Sequence, residues 1–227
     1  MIMSSEDNPI TIHLAEGTYA PSTNGETFPI NMVSNVNIQG EDEESTILDA
    51  MQVDRVIEME DCENNIISDL TITGGDNANY GGGEMGFGGG MSLTFSYQTL
   101  PYDPSPPIFP LFNNVTFSGN NSNYGGGIYS SSSNPILNNV TISGNTADDN
   151  GGGIWIHSYN PLIFTNSIIW DNNPESLYID LQLISSTITY SDIQGGWEGE
   201  GNIDADPLFI DPENGDYTLQ EDSPCID

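Results

Sequence analysis

The stretch Asn113-Asn114-Val115-Thr116-Phe117-Ser118-Gly119-Asn120 returns, offset by 25 residues, as Asn138-Asn139-Val140-Thr141-Ile142-Ser143-Gly144-Asn145. A third copy, Thr165-Asn166-Ser167-Ile168-Ile169-Trp170-Asp171-Asn172, follows 27 residues later. Fainter copies occupy 68–75 upstream and 187–193 downstream. A second motif keeps step with the first: Gly88-Gly89-Gly90-Met91, Gly125-Gly126-Gly127-Ile128 and Gly151-Gly152-Gly153-Ile154 each precede a strand-like run. In the copies Val115/Phe117, Val140/Ile142 and Ile168/Trp170 form the apolar set, with Thr or Ser between them in the first two, a period of 2. No helical periodicity lies between the motifs. The unit is therefore a coil of two or three short strands, about 25 residues long, whose apolar side cannot be buried alone. Stacking coil on coil gives one continuous core.

The glycine triplets mark tight corners, where positive φ and close packing exclude a side chain. Asn120, Asn145 and Asn172 end corresponding strands, and stacking them at one bend predicts an asparagine ladder. One coil is enlarged, over about residues 79–112. Gly90 to Asn114 is 24 residues, whereas Gly127 to Asn139 is 12. The excess lies around 97–107, whose prolines exclude a central strand and predict a protruding loop. A closing segment follows from about 198 to 227, and the whole chain, 1–227, reads as one domain.

The pairing of Phe117-Ser118-Gly119-Asn120 with Gly125-Gly126-Gly127-Ile128, repeated as Ile142-Ser143-Gly144-Asn145 with Gly151-Gly152-Gly153-Ile154, resembles the repeats of polymorphic outer-membrane adhesins. More broadly the chain resembles the pectate-lyase-like superfamily of right-handed parallel β-helices. Ile12-His13-Leu14-Ala15-Glu16-Gly17-Thr18-Tyr19, Val36-Asn37-Ile38-Gln39-Gly40 and Thr46-Ile47-Leu48-Asp49 look like its first coils. The stretches Asn202-Ile203-Asp204-Ala205-Asp206-Pro207-Leu208-Phe209, Gly215-Asp216-Tyr217-Thr218-Leu219 and Ser223-Pro224-Cys225-Ile226-Asp227 look like the C-terminal segment of large secreted bacterial β-helix proteins. The resemblance implies an all-β fold, a single-stranded right-handed parallel β-helix, on a secreted or cell-surface protein. It is weak for activity, because the superfamily holds lyases, hydrolases, epimerases and adhesins. Its N-terminal capping helix is missing here. No signal peptide precedes Ser4, so the chain is expected to be a fragment of a longer protein.

Charge narrows the partners. The chain has 34 Asp and Glu against one basic residue, Arg55, for a net charge of −33. Nucleic acid is excluded, because phosphate binding needs Lys or Arg. Anionic membranes and polyanionic sugars are disfavoured likewise, and no apolar run reaches the length of a membrane-spanning helix. The superfamily's polyuronate lyases, as the resemblance implies, use a Lys or Arg base, and Arg55 stands alone in an acidic coil. Two readings of the acidity stay open. One is a solvated surface suited to a salty habitat. The other is calcium, with candidate ligands Asp148, Asp149 and Asn150, or Asp204, Asp206 and Asp211, besides the run 41–44. Cys62 and Cys225 lie near opposite ends of the stack and are expected to be free thiols. No Cys/His set has zinc spacing.

Three groups of side chains are candidate sites. Setting Ile128, Ile154 and Leu177 in register makes Tyr129, Trp155 and Tyr178 outward neighbours, either a sugar-binding stripe or a self-stacking ladder that stabilises the sheet. Tyr80, Phe87, Tyr97 and Tyr102 around the enlarged coil offer a further aromatic platform. Two residues beyond the ladder, the same register aligns Ser131, His157 and Asp180, the residue types of a hydrolytic triad, with no evident oxyanion hole. Two function classes follow. The first is a non-catalytic surface β-helix that binds a neutral polysaccharide or a host or cell-surface glycan, stabilised by Ca²⁺. The alternative is a carbohydrate-active hydrolase or esterase using paired carboxylates or the Ser131/His157/Asp180 line.

Overall fold

In the computed structural model the chain is a parallel β-solenoid of about six turns, roughly 26 residues per turn. The structure describes residues 4–78, 85–95, 110–133, 135–157, 162–180 and 186–226. Among these there is no α-helix, hence none long and apolar enough to cross a membrane.

Sheet I runs through Ile10–His13, Val36–Gln39, Ile66–Thr73, Leu111–Ser118, Ile136–Ser143, Ile163–Thr165 and Thr187–Thr189, every neighbour parallel. Its eight-residue strands are two arms joined at one left-handed residue, Asp69, Asn114 or Asn139, with φ of 58°, 58° and 52°. Asx side chains tolerate that conformation better than other non-glycine residues. The same bend separates Ile163–Thr165 from Ile168–Trp170 at Asn166. Sheet II stacks Ile30–Asn31, Ile57–Glu60, Met91–Thr94, Ile128–Ser131, Ile154–His157 and Leu177–Ile179. A full coil thus has two arms of sheet I and one strand of sheet II, and in two coils Asn121–Tyr124 and Thr146–Asn150 pair as a further short parallel sheet between them.

Register makes the core a set of columns. Ile38, Ile67, Phe112, Leu137, Phe164 and Ile188 stack on the first arm, and Leu48, Ile72, Phe117, Ile142, Ile169 and Ile193 on the second. Met91, Ile128 and Ile154 face them from sheet II, and all these side chains are buried. Each contributes about 1.5–3 kcal/mol relative to leaving it exposed. The third repeat corrects the period-2 reading. Ser143 pairs with Trp170 and Ile142 with Ile169, so Ile169 points inward while Ile168 and Trp170 are half-exposed. The inward partner of Val140 is Ser167, a polar residue that breaks the apolar count. Its hydroxyl accepts from Val140 N–H at 2.9 Å.

At the glycine corner the backbones of successive coils touch. A Cβ on Gly126 would lie 2.3 Å from Thr146 O and 2.5 Å from Gly152 O. Gly125, with φ +66°, reverses the chain into that contact.

The closing segment does two things. Residues 199–203 cover the last edge of sheet I, and Asn202 stands in for a further coil. Its Oδ1 accepts from Ser191 N–H at 3.1 Å while its Nδ2 donates to Ile188 O at 3.0 Å. The antiparallel hairpin of Phe209–Asp211 and Asp216–Leu219 then runs back along the flank. Tyr217 reaches Ser118 and Gly144, and Thr218 Oγ1 donates to Glu44 Oε1 at 3.0 Å, 174 residues away in sequence. The hairpin covers outward side chains of sheet I, and Thr116, Ser118 and Ser143 are accordingly buried. Both thiols are free despite this return. Cys62 Sγ donates to Met32 O and Cys225 Sγ to Asp192 Oδ2, each at 3.2 Å.

Candidate functional site

The outer face of sheet II carries two columns. Glu58, Ser92, Tyr129, Trp155 and Tyr178 form the first, and Glu60, Thr94, Ser131 and His157 the second, continued by Asp180. Strand pairing aligns Tyr129, Trp155 and Tyr178 because the glycine corner delivers Ile128 and Ile154 to the interior at the same height. Tyr129 and Trp155 lie ring on ring, with centroids 4.7 Å apart and planes 7° from parallel. That separation is the spacing between strands. The ring planes therefore stand across the solenoid axis and cover one another, leaving edges toward solvent.

Two rings extend the cluster from the neighbouring bend. Phe87 and Tyr124 are bridge partners and stack at 5.7 Å. Phe87 also packs on Tyr129 at 4.7 Å, and Tyr124 stands edge-on to Trp155 at 6.1 Å. Tyr124 escaped the sequence reading. Its signal was available in Asn123-Tyr124-Gly125, since a ring just before a glycine corner must lie beside the strand that follows. Of the other aromatic candidates, Tyr80, Tyr97 and Tyr102 lie outside the described residues.

The second column joins two of its three candidates. His157 Nδ1 and Asp180 Oδ2 are 2.7 Å apart, on side chains 41% and 42% exposed. The His157 ring is 6° from the plane of Trp155 at 5.7 Å. Ser131 is the register partner of His157, yet its hydroxyl bonds the Tyr129 phenol. No hydrogen bond links it to His157 among the described residues. Burial, opposed by the Ser131 bond and reinforced by the Asp180 carboxylate, pushes the Tyr129 phenol up. Burial and then the Asp149 carboxylate do the same to Tyr124. At the far end of the face, burial raises the Glu58 carboxyl against the lowering effect of the Arg55 guanidinium, its ion-pair partner.

The calcium candidates are dispersed. Asp148 Oδ2 accepts from Asn123, Asp149 faces Tyr124, and Asn150 is the register partner of Tyr124. Asp204 accepts from Gly195 N–H, nine residues away, while Asp206 and Asp211 accept from Leu208 N–H and Asn214 Nδ2, each inside its own turn. Among the described residues no three His, Cys, Asp or Glu side chains gather to hold a metal ion.

Asn120, Asn145 and Asn172 form the inner ladder. Asn145 Oδ1 accepts from Asn120 N–H at 3.1 Å and from its Nδ2 at 3.0 Å. Asn172 Oδ1 repeats both contacts with Asn145, each at 3.0 Å. The amides also donate to Ile72, Phe117 and Ile142 carbonyls. This structural role leaves the ladder no atoms for a ligand.

Residues 109–196 match a family model described as a right handed beta helix region, and that segment is the run of regular coils just described. Together with the parallel solenoid, this match is consistent with the right-handed β-helix superfamily. In this β-helix, residues 1–53 also match a model described as a protein of unknown function, DUF1565. No curated protein and no solved structure matches the chain. Tyr124, Tyr129 and Trp155 of the aromatic cluster fall within the β-helix match, and Phe87 lies upstream of it.

Proposed function

We propose that this β-helix is a non-catalytic module of a secreted or cell-surface protein, and that it binds a neutral glycan along the outer face of sheet II. The carrying observation is the half-exposed cluster of Phe87, Tyr124, Tyr129 and Trp155 beside His157, on an otherwise acidic protein. With ring faces covered, the ladder offers edges tipped with a phenol, an indole N–H and an imidazole, at the spacing of the strands. Such a comb suits the hydroxyls of an uncharged sugar chain, while the charge of −33 repels polyuronates. Affinity electrophoresis through gels holding β-glucan, mannan or xylan tests this reading. Retardation by at least one of them, lost in Trp155→Ala and absent with polygalacturonate, is the expected result. No retardation in any neutral gel would sink it.

The His157–Asp180 contact favours a second reading, a hydrolase or esterase. There His157 would take the Ser131 proton after Ser131 releases Tyr129. Release of reducing ends or acyl groups that disappears in His157→Ala would establish it over the first.

A further inference from the structure

A cleft of ≈ 590 Å³ lies on the opposite flank, between the bend column of sheet I and the returning closing segment. Its size is that of pockets that take small molecules. One wall is the column of left-handed residues Asn139, Asn166 and Tyr190, with φ of 52°, 51° and 51°. The other wall is Leu219, Pro224 and Cys225 of the closing segment. The floor is already satisfied. Ser167 Oγ accepts from Val140 N–H, Ser191 Oγ from Ser167 N–H, and both hydroxyls donate to backbone carbonyls. Asp192 there accepts from Ala205 N–H and from the Cys225 thiol.

What remains open toward the cleft is neutral. The Asn139 amide has no hydrogen-bond partner among the described residues, and Asn166 donates to Asn138 Oδ1 at 3.3 Å, keeping its own carbonyl oxygen free. Beside them stand Ile168, Ile203 and the Tyr190 ring. No Lys, Arg or His lines the space, so nothing compensates an anion. Amide groups alternating with apolar walls match a ligand that has hydroxyl edges and C–H faces.

From this geometry we infer that the cleft is a second binding site, separate from the sheet II face, for a neutral sugar of mono- or disaccharide size. Because one wall is the closing segment, the site exists only while that segment is docked, and ligand favours the docked state.

The test uses the full chain with cellobiose, maltose, lactose and mannobiose, and digalacturonate as the charged counterpart. Titration calorimetry is expected to show binding of at least one neutral disaccharide, with digalacturonate at least tenfold weaker. Asn139→Gly with Asn166→Gly removes both amides while keeping the left-handed backbone, and should weaken binding at least tenfold. Run in a Trp155→Ala background, which removes the sheet II contribution, the same titrations should still show this binding and its loss. As a readout independent of those variants, saturating sugar should slow alkylation of Cys225 at least tenfold in a Cys62→Ser background. The proposal is overturned if no neutral disaccharide binds, or if Cys225 stays equally reactive when one does. Loss of binding in Trp155→Ala alone would move the site to the sheet II face and overturn it as well.

Discussion

Two ladders climb the same coils at the same spacing, and they differ in what their side chains touch. Asn120, Asn145 and Asn172 are 1%, 1% and 7% exposed and give their polar atoms to the backbone of the coils on either side. Tyr129 and Trp155 are half-exposed and touch mainly each other, Phe87 and Tyr124. The inner ladder replaces hydrogen bonds that a bend would otherwise leave unmade in the interior. The outer ladder adds contacts to a sheet already complete. A coil can therefore lose its outer ring and keep its shape, but it cannot lose its asparagine. This is why the outer column is free to vary along the stack, from Glu58 and Ser92 to Tyr129, Trp155 and Tyr178.

The sharpest way to break that contrast is Asn145→Leu, which keeps the volume and removes the polarity. It leaves Asn120 N–H and Phe117 O without partners in the interior. At about 1–3 kcal/mol for each unsatisfied buried group, the expected loss for the two is about 2–6 kcal/mol. Urea unfolding checks it, and a loss below about 1 kcal/mol would show that the bend finds other partners. Trp155→Ala is the matched change outside. It removes one stacked pair and partly buried area, so a cost of about 1 kcal/mol is expected, together with loss of retention in neutral-glycan gels. A cost equal to that of Asn145→Leu would erase the distinction between the ladders.

The fold was legible because stacking makes equivalent residues repeat. The 25-residue offset between Asn113 and Asn138 is the register pairing of Asn113 with Asn138. The alignment of Tyr129 with Trp155 followed from the glycine triplets by counting. Repetition fails where a residue acts through something outside its coil. Ser167 breaks the apolar period because its hydroxyl serves Val140 N–H in the coil before. The return of the hairpin to Glu44 leaves no periodic trace, since a contact between Thr218 and Glu44 is made once. The cleft was illegible for the same reason: one wall is repeat and the other is not. Ring orientation was also beyond counting, for register fixes neighbours but not which faces they cover.

The closing segment is tied to the last coil at Asp192, and acid titration separates that contact from both ladders. Burial raises the Asp192 carboxyl above its ordinary 3.8, with Ala205 N–H and the Cys225 thiol pulling it down, and the same contact and burial push Cys225 up to about 12. An acid with a raised pKa holds its proton more tightly folded than unfolded. Its folded state is thus favoured at low pH, and stability falls as pH rises from 3.8 through the raised value. Asp192→Asn should keep the Ala205 contact and lose that slope. Melting curves from pH 3 to 8 should show the variant more stable than the parent at pH 7 and the difference shrinking toward pH 3. A constant offset would mean that Asp192 binds its proton equally well in the folded and unfolded states.

The smallest expected effect concerns cations, and it asks whether the outer surface of either flank holds one specifically. The carboxylates at Asp204, Asp206 and Asp211 are each tied to a separate donor, and Asp148 and Asp149 take different partners. Divalent ions should then neutralise the charge of −33 diffusely. Calcium and magnesium at equal concentration should raise Tm by the same few degrees, and 0.5 M NaCl should reproduce most of the rise. A rise confined to calcium and reversed by chelator would instead require oxygen ligands preorganised at one place. Asp148→Asn with Asp149→Asn, set against Asp204→Asn with Asp206→Asn, would then say whether that place is on the regular coils or on the closing segment.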